Sequence, residues 1–439
     1  MASLMPAVVA GAQQPPAQAP PAVQQAPAVA APVEEVPAAP EPAAVPELSA
    51  GDEAALREAL AADADADPAP EPPPIATAPA PGPAPIRSAP SLNPDISLIA
   101  DFALAAFSDV DRSRQSGAHD PVANGFNLQQ LELSVGAAVD PYFRFDANLV
   151  FGLFGVEIEE AYATTLGLPH RLQLRAGQFL TRFGRRNPTH PHTWYFVDQP
   201  FALGRVFGAE GARGLGAELS WLSSLPWYLE LVTSTQMAAG EASARSFYGG
   251  SDPGVRGPLD LQQLLAIKQF FPLGDDWSLS WGISGAFGPN GSGRGNRSEI
   301  FGSDLYLKWR PISRQSVQVV SLHTEWFYRR RQVPEAVLQD VDSFSEVFWR
   351  FTQRWAVAAR HDYGSPIWDS ELARQPDELD PDWTDHRHRF AANVTFWPTE
   401  FSRLRLQPSI DLPLWQDDPI YAVFLAFEVV TGAHGSHPF

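Results

Sequence analysis

Apolar and polar residues alternate strictly along residues 130–152. Leu131, Leu133 and Val135 share one parity, and the residues between them are polar or small. Because successive side chains of an extended strand point to opposite sides, this stretch predicts strands with one wholly apolar face. A tight turn is predicted at 140–141, where Pro follows Asp. One such hairpin fits a soluble β-sandwich, with the apolar face as core, and equally an outer-membrane barrel, with that face toward lipid.

The same two-faced pattern recurs to the C-terminus and predicts sixteen strands, an even number. The predicted strands are 96–107, 127–139, 142–152, 156–166, 170–180, 214–222, 227–236, 260–271, 276–287, 300–310, 315–329, 343–351, 354–362, 385–397, 402–411 and 419–430. Short turns alternate with mostly longer connections such as 181–213, 330–342 and 363–384, and only 153–155 is a short exception among the latter. Short periplasmic turns and long outer loops are typical of outer-membrane barrels. We therefore predict an all-β fold, a 16-stranded antiparallel transmembrane β-barrel, over residues 95–439.

The chain before the barrel has a different composition. Residues 1–12 contain a short apolar run that ends in the small-residue pattern Ala-Gly-Ala, which predicts a signal-peptide remnant; a disordered alanine-rich tip is the alternative. Residues 13–94 are rich in Ala and Pro and predict a disordered periplasmic tether, or a leader without a partner. A short helix is predicted at 49–62, where Ser49 and Asp52 match a capping box.

Composition excludes several classes of function. The 439 residues carry a net charge of -20, which argues against a nucleic-acid partner. The absence of Cys excludes disulfides and thiolate zinc sites. No apolar run is long enough for a transmembrane helix, so any membrane crossing requires a closed barrel. No catalytic triad, phosphate-binding glycine loop or catalytic carboxylate pair stands out, so we expect neither an enzyme nor a cofactor.

With the apolar face toward lipid, the opposite parity sends charged side chains into the lumen. The predicted pore-lining and anion-binding residues are Arg144, Arg171, Arg175, Lys308, Arg310, Arg350, Arg354, Arg360, Arg387, Arg389, Arg403 and Arg405. Carboxylates expected to face them are Asp101, Glu132, Asp146, Glu157, Glu159, Glu218, Asp304, Glu325 and Glu346. A basic wall opposite an acidic wall would favour anions where Arg dominates. Alternatively, these charges only pair with one another and hydrate the wall.

The connection 181–213, which we name the constriction loop, is the longest and least hydrophilic of the outer connections. Its side chains with the strongest potential to narrow a pore are Arg182, Arg185, Arg186, Trp194, Tyr195 and Phe196. An aromatic-rich loop is costly to keep extended in water, so we expect it to fold into the barrel and set the size limit. The alternative is that its aromatics pack against a neighbouring protomer.

His190 and His192 are weak candidates for a metal site. Their His-x-His spacing offers two imidazoles to one ion, and Asp198 lies nearby in sequence. No third and fourth ligand follows at a convincing local spacing, and chance proximity among 10 His is the alternative.

Two resemblances accompany these patterns. The segment RAGQFLTRFG, from Arg175 to Gly184, resembles the phosphate-selective porin O/P family, although Arg182 stands where that family often has Pro. That resemblance implies a sixteen-stranded, usually trimeric outer-membrane barrel that passes small anions through an Arg-lined constriction. HPHTWYFVD at 190–198, PTEFSRLRLQ at 398–407 and the C-terminal HGSHPF resemble porin-like proteins commonly labelled zinc-regulated, TonB-dependent receptors. A TonB-dependent receptor needs about twenty-two strands around a folded plug, which the tether cannot supply.

Together these features predict a porin-like channel in the outer membrane of a Gram-negative bacterium. We expect passive diffusion of small hydrophilic solutes with an anion preference, contact with outer-membrane lipid, and a homotrimer. Two alternatives remain open at this point: a zinc- or metal-linked uptake receptor, and a non-conducting structural barrel.

Overall fold

Sixteen antiparallel strands close into one barrel in the computed structural model, which describes residues 94–112, 115–153, 155–311 and 317–432. Each strand pairs with its neighbours along the chain, and β1 pairs with β16 to close the ring. The strands are β1 (Asp95–Phe107), β2 (Gly125–Ala138), β3 (Phe143–Gly152), β4 (Gly155–Thr165), β5 (Leu172–Leu180), β6 (Arg213–Leu222), β7 (Tyr228–Met237), β8 (Leu261–Leu273), β9 (Trp277–Pro289), β10 (Arg297–Trp309), β11 (Val319–Val333), β12 (Ala336–Arg350), β13 (Trp355–Gly364), β14 (Arg387–Thr399), β15 (Ser402–Pro413) and β16 (Ile420–Gly432).

The predicted fold class is confirmed, and each predicted strand has its counterpart in this ring. A single short helix, α1 (Phe201–Phe207), and three 3-10 turns accompany the strands in the described part of the chain. None of the described helices has the length and apolar character needed to cross a membrane. The expected signal-peptide remnant, the helix at 49–62 and the tether, apart from Pro94, lie outside the described residues.

The outer surface of the ring is apolar. On β8, Leu265 is 57% exposed and its neighbours Leu264 and Ala266 are 1% and 4% exposed, so consecutive side chains alternate between the outside and the interior. Exposed Leu, Ile, Val and aromatic side chains recur in this way around the barrel. Trp277 and Trp309 pair with each other at the ends of β9 and β10, at one end of the barrel, where an interfacial aromatic girdle is expected. A soluble sandwich would bury this face, whereas lipid covers it at no cost.

The expectation of a long connection at 330–342 is wrong. β11 and β12 continue through that stretch and are joined by only two residues, 334–335, with Glu335 at φ 68°. Asp340, inside the stretch that was predicted as a loop, faces inward and pairs with Arg329 of β11 at 2.9 Å across the two strands. A strand whose charged residues face the lumen can therefore look like a loop in sequence, because water and ion-pair partners inside the barrel solvate those charges as bulk water does in a loop.

The inner face is less polar than the alternation predicts. α1 packs on inward-facing wall residues, and Phe207, Phe327 and Phe344 are at most 1% exposed within one apolar cluster. The ring of Phe183 stacks on Phe327 with centroids 5.9 Å apart. Part of the barrel interior is thus a dry core that is built from wall residues and a connecting segment, and only the remaining interior is available to water.

If the outer surface faces lipid, the free-energy cost of an outward-facing charge should depend strongly on its depth in the membrane. Ile267→Arg, at the middle of β8, should destabilise the folded barrel by about 2–4 kcal/mol, because the guanidinium meets hydrocarbon. Leu273→Arg, on the same face but at the end of the same strand, should cost about 0–1 kcal/mol. Urea titrations in lipid vesicles, followed by tryptophan fluorescence, measure both. Equal losses at the two positions would contradict a lipid-facing outer surface.

Candidate functional site

The constriction loop, residues 181–212 in the structure, crosses the lumen from one wall to the other. His192 Nδ1 lies 3.2 Å from Glu132 on β2, whereas Asp198 lies 3.0 Å from Arg360 on β13. Trp194 and Phe196 are only 7% and 1% exposed. Because β2 and β13 stand on different sides of the ring, a segment that contacts both must lie inside it.

Gly184 starts the inward course of the loop. This residue, the last of the RAGQFLTRFG motif, has φ 59°, a conformation that side-chain-bearing residues rarely adopt. Immediately after it, the backbone N–H groups of Arg185 and Arg186 donate to Glu325 Oε1 at 2.8 and 2.6 Å. Lys268 Nζ donates to the Gly184 carbonyl at 2.6 Å. Wall side chains thus satisfy the backbone groups that leave the β-sheet.

Asp198 is the anchor at the far end of the loop. Its two carboxylate oxygens accept from Arg360 and Arg389, each at 3.0 Å, and Gln407 donates to it at 2.6 Å. Burial alone would raise the pKa of Asp198, but the two guanidinium groups outweigh burial and hold that pKa below its usual value. Asp198 is therefore a buried anion that is held by side chains of three neighbouring strands, β13, β14 and β15.

Arg403 and Arg405 on β15 hold the loop through its backbone. Arg403 donates to the carbonyls of His192 and Trp194 at 2.8 and 3.0 Å, and Arg405 donates to the Phe196 carbonyl at 2.8 Å. Glu428 on β16 forms ion pairs with both arginines. Each of these two predicted pore arginines thus has a carboxylate and loop carbonyls as partners.

Several other predicted lumen residues are also paired. Arg175 lies 3.0 Å from Glu218, Arg144 lies 2.8 Å from Asp146, and Arg387 donates to Asp411 at 2.9 Å. Two members of the predicted set are not on the lumen wall. Arg171 lies in the 3-10 turn Pro169–Arg171 and donates to the Ser223 carbonyl, and Arg354 is exposed in the turn before β13. The sequence placed both residues on the wall wrongly, because the ends of strands are harder to predict from sequence than the strands themselves.

A cavity of about 1020 Å³ lies at the short-turn end, below the constriction loop. Its lining brings together six basic side chains from the wall and the loop with one carboxylate, Glu346. The basic residues are Arg185, Arg186, Lys308, Arg310, Arg350 and Arg403. Arg186 pairs with Glu346, and the guanidinium of Arg185 lies 3.9 Å from the Tyr306 ring centre. We name this space the basic cavity. Tyr195, which stacks on Phe348 at 4.0 Å, also lines it.

A second ion-pair network closes the opposite side of the loop, and it was not foreseen from sequence. Arg205 of α1 lies 3.0 Å from Asp342 on β12, and Arg329 lies 2.9 Å from Asp380 in the 365–386 connection. A further cavity of about 560 Å³ at this outer end includes Arg205 and Trp383 in its lining. Because Asp380 and Arg205 lie in presumed loops, no strand periodicity could point to them.

His190 and His192 meet acidic side chains of β2 and β4. His190 lies 3.1 Å from Glu159 and 2.9 Å from Glu160 through its two ring nitrogens. Burial would lower the pKa of His190, but the nearby carboxylates Glu159 and Glu132 outweigh it, so the pKa is well above its usual value. The acidic partners that the local sequence lacked therefore come from strands that precede the loop by about thirty and sixty residues.

Comparisons with known proteins agree with the fold. No protein-family model matches the chain. The chain is 31% identical over 384 residues to an uncharacterized protein of Aquifex aeolicus (strain VF5), covering 79% of this chain and 80% of that protein. Among solved structures, the anion-selective porin from Comamonas acidovorans is similar with a TM-score of 0.50 and 8% identity, over 77% of this chain and 99% of that porin. OprB of Pseudomonas putida has a TM-score of 0.49 and 8% identity, over 77% and 94%.

At 8% identity, the similarity to the anion-selective porin bears on the fold alone, which is that of a porin-like outer-membrane barrel. With the apolar outer belt, this fold confirms the expected location in the bacterial outer membrane. The narrower resemblance to the phosphate-selective porin O/P family stays a prediction.

The Asp198 anchor leads to a stability prediction. Asp198→Asn keeps the side-chain size but leaves Arg360 and Arg389 each with one buried carboxylate fewer, so it should destabilise the barrel by about 3 kcal/mol. Glu299→Gln removes the partner of Arg330 in a half-exposed pair and should cost less than about 1 kcal/mol. Urea unfolding in detergent micelles compares the two variants. Similar small losses in both would show that Asp198 does not anchor the loop.

Proposed function

We propose that this chain, which belongs to the same family as the Aquifex aeolicus protein, is a passive porin-like channel for small hydrophilic solutes. The observation that carries the proposal is the basic cavity: a charged space of about 1020 Å³ inside a closed barrel, at the end with the short turns. A polar lumen that is narrowed by an inward loop is the arrangement by which wide barrels pass small solutes. On this proposal the protein is not an enzyme and needs no cofactor.

The basic cavity also supports a preference for anions. Six basic side chains face one carboxylate in its lining, and low-dielectric walls concentrate the field of such a group. Arg360, Arg389, Arg403 and Arg405 contribute less to selectivity than the sequence predicted, because Asp198 and Glu428 neutralise them. We therefore assign selectivity mainly to Lys308, Arg310 and Arg350 with Arg185 of the loop.

The constriction loop is proposed to set the size limit. Two of its residues line the basic cavity with aromatic contacts to the wall: Tyr195 on Phe348 and Arg185 on Tyr306. Arg403 and Arg405 of β15 donate hydrogen bonds to the carbonyls of Trp194 and Phe196 and so fix the loop backbone on both sides of Tyr195. A loop that is held at this many points narrows the lumen as part of the rigid wall. We propose a homotrimer, surrounded by outer-membrane lipid, as the working assembly.

The dry core around α1 favours a second candidate, a structural barrel that does not conduct. Residues such as Phe207, Leu264 and Phe327 exclude water from that part of the lumen, and ion pairs cover its outer side. This candidate differs from the channel in a single observable, because it predicts no current when the purified protein is reconstituted in a planar bilayer.

The channel proposal predicts a selectivity change that depends on location. Lys308→Glu with Arg310→Glu should lower the anion-to-cation permeability ratio by roughly threefold or more, because both side chains line the basic cavity. Reversal potentials in planar bilayers under a KCl gradient measure the ratio.

The matched control is Arg171→Glu with Arg354→Glu, which makes the same charge change at the same end of the barrel but outside the lumen wall. It should leave the ratio nearly unchanged. An equal shift in both double variants would assign selectivity to surface charge rather than to the basic cavity. A folded wild-type protein without any conductance would exclude the channel altogether.

A further inference from the structure

Five side chains inside the barrel form a group that the channel proposal does not use. They are Glu132 of β2, Glu159 and Glu160 of β4, and His190 and His192 of the constriction loop, and we name them the His–Glu cluster. The three carboxylates are 1%, 4% and 5% exposed. Glu132, Glu159 and His190 each present a ligand-type atom, and these atoms lie within 4.8 Å of one another.

Both ring nitrogens of His190 meet polar atoms. Nε2 lies 2.9 Å from Glu160 Oε2 and 3.1 Å from the side-chain nitrogen of Asn148, whereas Nδ1 lies 3.1 Å from Glu159 Oε2 and 3.9 Å from Glu132 Oε1. The tautomer that carries its hydrogen on Nε2 donates it to Glu160 and directs the lone pair of Nδ1 at Glu159 and Glu132. A carboxylate that accepts from the outer nitrogen of a ligand histidine is the usual support of a metal-binding imidazole. Either a proton or a cation must lie between Nδ1 and the two carboxylates.

His192 adds a second imidazole on the same side. Its Nδ1 lies 3.2 Å from Glu132 Oε2, and its ring stacks on that of His190 with centroids 5.7 Å apart and 14° between the planes. Glu132 therefore lies between the two histidines. His192 lies outside the 4.8 Å group of Glu132, Glu159 and His190, although it contacts Glu132. A movement of its ring past Glu132 would complete a set of two imidazole nitrogens and two carboxylates, which suits zinc and related divalent transition-metal ions.

The charge of the group also favours a cation. Three buried carboxylates outnumber the two imidazoles, and the donors that reach them from Ser134, Asn148 and the Leu180 backbone are neutral. An excess of negative charge is costly to bury, and a divalent ion would offset it.

A neighbouring group, His119 with Glu159 and Glu210, offers similar atoms but is a weaker choice. Glu210 already has Arg213 Nη1 at 3.8 Å, so a cation occupies part of its surroundings.

We propose that Glu132, Glu159, His190 and His192 bind one divalent transition-metal ion of the zinc class inside the barrel, with Glu160 as the positioning residue of His190. The ion would join the constriction loop to β2 and β4, while the arginines of β13–β15 hold the loop from other strands of the ring. The proposal does not depend on whether the barrel conducts.

Calorimetric titration of the full barrel in detergent, first stripped with EDTA, tests the proposal with ZnCl₂ as the probe. We expect about one equivalent to bind with micromolar or tighter affinity. His190→Gln and Glu159→Gln should weaken binding by at least roughly tenfold, and Glu160→Gln by roughly 10- to 100-fold. Heat-dependent electrophoretic mobility and tryptophan fluorescence confirm that each variant is folded.

The matched control is His361→Gln with His388→Gln. His361 Nε2 lies 3.0 Å from His388 Nδ1, and both side chains are on the outer face of β13 and β14. Their removal should therefore leave the binding of one equivalent intact. Co²⁺ provides a second measurement, since its visible absorption band should diminish in His192→Gln if that imidazole is a ligand.

Three outcomes would overturn the proposal. They are the absence of saturable binding by the wild-type protein, an unchanged affinity in folded His190→Gln, and a loss in His119→Gln without a loss in His190→Gln. The last would locate the ion at the neighbouring group. Bilayer conductance is measured separately, so failure of the metal site and failure of the channel are distinguishable.

Discussion

Every backbone N–H and C=O group that meets hydrocarbon must have a hydrogen-bond partner within the protein, and the rest of this structure depends on that constraint. The sheet meets it by closing β1 on β16, where eleven consecutive residue pairs run from Ser97 with Gly432 to Phe107 with Ala422. Closure leaves no free edge, and it fixes which parity of each strand faces lipid. The remaining parity is enclosed, so its charged side chains must find partners inside the ring.

The constriction loop supplies many of the partners that the enclosed charged side chains need. Arginines of β13–β15 face carboxylates of β16 and β1, and the loop lies between the walls with Asp198 and its own carbonyls as additional acceptors. The same contacts keep the loop inside the barrel and remove the arginines from solute. Selectivity is consequently expected at the basic cavity, where Lys308, Arg310 and Arg350 line the space together with Arg185. Arginines of the inner wall thus either hold the constriction loop or face solute, and the partners of each arginine determine which.

The loop also links the basic and acidic sides of the lumen. Its Asp198 lies among arginines, and its His190 lies among glutamates, so each end of the 190–198 segment complements the wall it touches. This reciprocal arrangement explains why a segment with aromatic and charged residues is stable away from bulk water. Trp194, Tyr195 and Phe196, between the two ends, fill the space that the ion pairs enclose.

The sequence by itself determined the ring of strands. Its evidence is the alternation of apolar and polar residues, as in Leu131 and Leu133 against Glu132, which can be read within each strand because one side of the strand faces lipid. It failed at 330–342, because the inward-facing charges of Arg331, Asp340 and Asp342 give that stretch the composition of a loop. It also predicted Arg403 and Arg405 as lumen residues, but their partners Trp194 and Glu428 come from distant segments. Only the tertiary structure decided those pairings, together with the dry core around α1 and the meeting of His190 with Glu159, because contacts across a closed lumen leave no period in the chain.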